Sequence, residues 1–249
     1  MEPAIFLVLF LAGLIGSSFG VLIGGQSLLT LPLLILLGVH PHQAIATNLF
    51  GVVATPLTGW FKFHQKKLIN YDMAWALVIP SIIGSILGTF VILHVDAGLL
   101  KKVISGLTVI LLILILKKPG LGINNQKQKA TKTYNWLAFI VSFCLGIYGA
   151  FYTAGVGTLF SYLLILGFGY TYLESTATQK IALSFLFITA TIIYIYRGLV
   201  IYPFAIALFL GNMAGSYVGA HYSDTIGNKW LMRAFSAMVI IMAIQIFFQ

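Results

Sequence analysis

Two stretches decide the fold: Gly24-Gly25-Gln26-Ser27 followed by Ala46-Thr47-Asn48, and, about 131 residues later, Gly155-Val156-Gly157-Thr158 followed by Ala177-Thr178-Gln179. Both lie inside long apolar runs. Glycines there interrupt a helix and free backbone polar groups, which in hydrocarbon must be satisfied by protein, a wet cavity or a ligand. A chain that carries this pattern twice reads as a duplicated membrane carrier with a site between its halves.

Composition excludes most other classes. Hydrophobic residues make up 60% of the 249 and charged residues 8%, with a mean hydropathy of +1.02, whereas soluble domains carry about 25% charged residues. The formal net charge is +9. Its cations lie in short loops between apolar segments, with no basic face or aromatic RNA-binding motif, so nucleic acid is not an expected partner. The expected partners are membrane lipid and a small anion; homodimerisation is left open. Cys144 is the only cysteine, so neither a disulfide framework nor a thiolate metal site is available, and it reads as a small buried hydrophobe. Met1-Glu2-Pro3 runs into an apolar stretch without a basic n-region or cleavage pattern, so the N-terminus is expected to be retained.

The fold class is an all-α polytopic membrane protein. Apolar blocks fall at about Ala4 to Ile23, Ser27 to Leu37, Ala44 to Phe61, Met73 to Leu93 and Val103 to Leu116. The series repeats at about Trp136 to Ala154, Leu159 to Phe168, Ile181 to Tyr196, Phe204 to Tyr217 and Ala234 to Phe248. The second block of each series is too short to cross roughly 30 Å of hydrocarbon, which takes about 20 residues. Each half is therefore expected to contain a Gly-broken half-helix. The halves are residues 1–116 and 135–249, joined by a polar cytoplasmic linker at 117–134. Gly84-xxx-Gly88 aligns with Gly211-xxx-Gly215 and reads as scaffold for close helix contact.

Lys/Arg placement arbitrates the orientation of the halves, because cytoplasmic loops carry the excess of positive charge. An odd number of crossings per half puts eleven cations inside and three outside; an even number gives nine against five. Inverted repeats are favoured.

A half-helix starting in mid-membrane has unpaired N–H groups and roughly half a positive charge at its N-terminus, so an anion is its natural partner. Gly24, Gly25, Gln26 and Ser27 ahead of Leu28 to Leu37, with Gly155, Gly157 and Thr158 ahead of Leu159 to Leu166, are the expected cradle. The Ser27 hydroxyl is free to cap or to donate. Thr47, Asn48, Thr178 and Gln179 supply polar side chains that must bond to backbone or substrate. Lys180 has no counterpart in the first half, where Leu49 stands. It reads as a counter-charge for the anion, or alternatively as a snorkelling residue or a partner of Glu174. His94 and His221 lie at helix ends and read as interface hydrogen-bonding groups, and the histidines form no metal constellation.

At these residues the chain resembles the TauE/SafE family, also called the sulfite exporter or toluene-sulfonate uptake permease family. Gly13, Gly16, Gly20, Gly24, Gly25, Ser27-Leu28-Leu29, Pro32, Gly38 and Ala44 to Asn48 carry the resemblance, which covers nearly the whole chain. The second copy departs from the family pattern at Val156, Leu163 and Gln179. The resemblance implies a secondary transporter of small sulfur-containing anions, sulfite or organosulfonates, across a prokaryotic cytoplasmic membrane, with no cofactor and no ATPase subunit. An anion channel on the same half-helices is the alternative. An intramembrane enzyme would need acid and base groups within the membrane, and the five acidic residues, Glu2, Asp72, Asp96, Glu174 and Asp224, lie near ends or loops.

Overall fold

The computed structural model describes residues 3–100, 102–104, 106 and 132–223. The apolar blocks at Val103 to Leu116 and Ala234 to Phe248 lie wholly or almost wholly outside them, as do linker residues 117–131 and the cations Lys101, Lys117, Lys118, Lys127, Lys129, Lys229 and Arg233. The described chain is α-helical, with no strand among the described residues. Its helices are α1 (Pro3–Ile23), α2 (Ser27–Leu36), α3 (Pro41–Val52), α4 (Ala54–Gln65), α5 (Tyr71–Leu93), α6 (Lys132–Gly149), α7 (Val156–Phe168), α8 (Tyr172–Tyr196) and α9 (Tyr202–His221). Helix α6 opens at Lys132, inside the stretch read as linker.

Five segments are long and apolar enough to cross a membrane: Ala4–Leu22, Pro41–Gln65, Tyr71–Leu93, Tyr172–Tyr196 and Tyr202–His221. Helices α2 and α7 are not, at 10 and 13 residues. The apolar block Ala44 to Phe61 is divided at Val53 into α3 and α4. Pro56 has no N–H to continue the helical ladder there. Phe187 stands 131 residues later in α8, which runs unbroken for 25 residues.

Contact register sets the helix directions. Gly211, Gly215 and Gly219 of α9 lie against the backbone carbonyls of Phe10, Leu14 and Ser18 of α1, so the two helices run parallel. Thr47 and Gly51 of α3 meet Ile201 and Leu208, and Lys62 and Lys66 of α4 meet Tyr217 and His221, all in the same sense. Helix α5 runs parallel to α6, with Gly84 and Gly88 against Phe143 and Ile147. It also runs parallel to α8, where Asn70 meets Thr178 and Ser85 meets Leu186. Between the two sets the sense reverses: Gly59 packs on Lys180, and Phe63 clusters with Ala177. The most extensive packing is α1 on α9 and α5 on α6. Both seams use glycines because no side chain fits between backbones this close.

The backbone carries its own repeat. Left-handed residues occur at Gly24, Gly38 and Lys67, with φ 78°, 80° and 55°, and again 131 residues later at Gly155, Gly169 and Gly198, with φ 76°, 67° and 67°. Cys144 is exposed on α6 rather than buried, and Ile79, Leu166 and Ile192 likewise present apolar side chains outward, as a lipid-facing surface requires.

Candidate functional site

The two glycine breaks touch. The N–H of Gly155 donates to the Gly24 carbonyl at 2.7 Å. A Cβ placed on Gly24 would stand 3.1 Å from Gly157 Cα and 3.2 Å from the backbone nitrogens of Gly157 and Thr158. The start of α2 thus abuts the start of α7, which brings two helix N-termini together inside an apolar bundle.

Polar side chains surround this junction. Ser27 Oγ bonds Thr153 Oγ1 from the opposite half and accepts from Asn48 Nδ2 at 3.1 Å. Thr30 Oγ1 in turn donates to Asn48 Oδ1 at 2.5 Å. In the second half Gln179 Nε2 donates to Ser161 Oγ at 2.8 Å. Thr30 precedes Asn48 and Ser161 precedes Gln179 by the same 18 residues. Gln26, not Ser27, occupies the N-cap of α2, and it makes no side-chain cap bond; the Ser27 hydroxyl is committed to Thr153 and Asn48 instead.

A cavity of about 10 Å³ opens at the junction, lined by Gly20, Gly24, Gln26, Thr55, Pro56, Thr153, Gly157, Lys180, Leu183 and Phe187. That is room for roughly one water molecule. Lys180 is 2% exposed, and its stem lies along Gly59, where a Cβ would be 3.2 Å from Lys180 Cε. Glu174 is not its partner. Its carboxylate closes a capping box at the start of α8, accepting from Thr171 N and Thr171 Oγ1, each at 3.0 Å, while Glu174 N donates to Thr171 Oγ1 at 3.2 Å. Among the described residues no carboxylate pairs with Lys180, and Gln26 Oε1, Thr55 Oγ1 and Gln179 Oε1 are buried without a hydrogen-bond partner. No group of three or more His, Cys, Asp or Glu side chains among the described residues could hold a metal ion.

Of the residues singled out from sequence, Gly24, Gln26, Gly157 and Lys180 line the cavity. Ser27, Asn48 and Gln179 form the polar layer behind it, and Gly25, Gly155 and Thr158 belong to the backbone of the two breaks. Thr47 and Thr178 do something else. Thr47 Oγ1 accepts from Ile201 N at 3.0 Å and Thr178 Oγ1 from Asn70 N at 3.1 Å, so each hydroxyl satisfies the N-cap N–H of a helix in the other half. Gly20, Thr30, Thr55, Thr153 and Ser161 escaped the sequence reading. The 131-residue register and the shared 18-residue spacing would have found Thr30 and Ser161.

The chain matches known proteins along almost its full length. A probable membrane transporter protein of Haemophilus influenzae is 27% identical over 236 residues, covering 95% of this chain and 90% of its own. The probable membrane transporter protein YfcA of Escherichia coli is 23% identical over 230 residues, with 92% and 84% covered. YjnA of Bacillus subtilis, also a probable membrane transporter protein, is 26% identical over 258 residues, with 99% and 100% covered. No solved structure matches. The family model for the sulfite exporter TauE/SafE matches residues 5–246. With five apolar spanning segments and relatives that are transporters rather than enzymes, this multi-pass cell-membrane protein belongs to the sulfite exporter TauE/SafE family of membrane transporters.

Proposed function

We propose that the chain is a secondary carrier for a small sulfur-containing oxyanion, of sulfite or organosulfonate type, which it moves by alternating access at the junction of Gly24, Gly157 and Lys180. The observation that carries this reading is the meeting of two half-helix N-termini beside a buried lysine that no carboxylate among the described residues neutralises. Each N-terminus contributes roughly half a positive charge, and a cation in low dielectric calls for an opposite charge. An anion supplies it. A central cavity with room for about one water supports a carrier that closes around its substrate over an open anion channel.

Two features support inverted repeats at 1–116 and 135–249. The left-handed residues and the reciprocal threonine bonds recur at a 131-residue spacing. In addition, α1 and α6, the opening helices of the two halves, belong to the two sets that run in opposite directions.

Proteoliposomes loaded with labelled sulfite, sulfoacetate, thiosulfate or sulfate test the reading. Saturable flux of one anion is expected, reduced at least tenfold by Lys180→Gln and weakened by Ser27→Ala. Absence of flux for every oxyanion, or flux indifferent to Lys180→Gln in a folded variant, sinks the assignment.

A further inference from the structure

Between α4 and α9, on the outer face of the bundle and away from the central junction, lies an apolar groove of about 650 Å³, walled by Leu57, Phe61, Phe209, Met213, Ala214 and Tyr217. The volume falls within the roughly 300–1,000 Å³ of ordinary ligand sites, and the wall is nearly without polar atoms. One end differs. Lys62 buries its stem to 9% exposure and holds its ammonium 3.9 Å from the centre of the Tyr217 ring. One turn on, Lys66 Nζ donates to the His221 carbonyl at 3.2 Å and to Ser223 Oγ at 2.7 Å, which ties the ends of α4 and α9 together beside the same mouth. Among the described residues no carboxylate pairs with Lys62.

We propose that this groove holds an acyl chain of an anionic phospholipid whose phosphate sits at Lys62 and Lys66. The occupant follows from charge and from shape. An apolar trough open to the bilayer accepts a hydrocarbon chain, and two cations at its interfacial end, spaced i and i+4 on one helix face, select a headgroup of opposite charge. Tyr217 contributes to both parts, with its ring as wall and as the face on which the Lys62 ammonium rests. Because α4 also carries Thr55 and Pro56 to the central cavity, a lipid seated here touches the helix that lines the transport site.

The test is native mass spectrometry of the purified full-length chain in detergent with equimolar phosphatidylglycerol and phosphatidylcholine. Each lysine near an anionic headgroup favours it about five- to sixfold, so the wild type is expected to retain one phosphatidylglycerol with about thirtyfold preference. Lys62→Gln with Lys66→Gln should bring the two lipids to near parity. Lys62→Arg keeps the preference, and Ala214→Trp, which fills the groove, removes the bound lipid of either kind. Added inorganic phosphate should not displace the lipid, since the acyl chain supplies much of the binding. Parity in the wild type, an unchanged preference in the double variant, displacement by phosphate alone, or a chain dimer that disappears with Ala214→Trp each overturns the proposal. If the double variant does not fold, the wild-type competition and Ala214→Trp decide.

Discussion

Replacing Gly24 by alanine tests the contact on which the central junction depends, and two other glycines supply its controls. Gly24 and Gly38 have nearly the same left-handed backbone, φ 78° and 80°, so an alanine at either meets the same conformational cost of about 1–2 kcal/mol. Their surroundings differ. A Cβ on Gly38 meets nothing within 4 Å, whereas one on Gly24 comes within 3.1 to 3.2 Å of the backbone of Gly157 and Thr158. Backbone cannot rotate aside as a side chain can, so Gly24→Ala carries an added overpacking cost of about 1–3 kcal/mol. Gly157 completes the comparison: its Cβ would stand at an ordinary 3.4 Å from Gly24 Cα, and inside a helix alanine is favoured over glycine by about 1 kcal/mol. Thermal unfolding of the purified variants, followed by tryptophan fluorescence, should rank them Gly157→Ala mildest, Gly38→Ala intermediate and Gly24→Ala worst. The last pair should differ by at least about 2 °C. If Gly24→Ala is no more costly than Gly38→Ala, the two half-helix ends do not press on each other and the junction is wrongly drawn.

Thr47→Val and Thr178→Val each leave the N-cap N–H of a helix in the opposite half without its acceptor. Each should cost about 1–3 kcal/mol in thermal unfolding, with anion selectivity in proteoliposomes unchanged. Asn48→Ala strips partners from both Thr30 and Ser27, so it should cost about 1–3 kcal/mol as well, and here anion affinity should fall with stability. Gly88→Leu forces a side chain into the Ile147 backbone of α6. It should abolish the monodisperse peak in size exclusion, while Leu87→Ala, on the exposed face of the same helix, leaves the peak intact.

Much of this arrangement was legible in the sequence, for reasons of spacing. Glycine pairs and short apolar blocks mark α2 and α7 because a helix of 10 or 13 residues cannot cross the bilayer, and Gly-xxx-Gly marks the seams because only small residues admit a second backbone. The partners of buried hydroxyls were not legible. Sequence shows that Thr47 and Thr178 need hydrogen bonds, but Ile201 and Asn70 lie 154 and 108 residues away, and only the packing of one half on the other selects them. Thr55 and Thr153 were missed for the same reason. A threonine in an apolar helix ordinarily bonds back to its own turn, as Thr89 does to Ser85, so nothing local sets apart the ones that face a cavity.

The packing also bears on what moves. The closest seams, α1 with α9 and α5 with α6, join helices from different halves, so one half cannot rock against the other without separating the tightest backbone contacts in the molecule. The sets of parallel helices suggest a different division. Helices α1, α3, α4 and α9 form one body and α5, α6 and α8 another; they meet chiefly where α3 and α4 cross α8, which is where Thr55, Pro56, Lys180 and Leu183 line the cavity. For a carrier built this way the sliding surface runs through the site, and each body draws helices from both halves. Cysteine pairs in a Cys144→Ser background separate the two accounts. A cross-link at Trp60 and Phe185, whose rings lie 6.4 Å apart between α4 and α8, should stop anion flux, and reduction should restore it. A cross-link at Phe6 and Phe204, 5.9 Å apart between α1 and α9, should leave flux within about twofold of wild type, since it joins helices that move together. Rocking of half against half requires the second bridge to be as inhibitory as the first, and that result would remove the composite bodies from consideration.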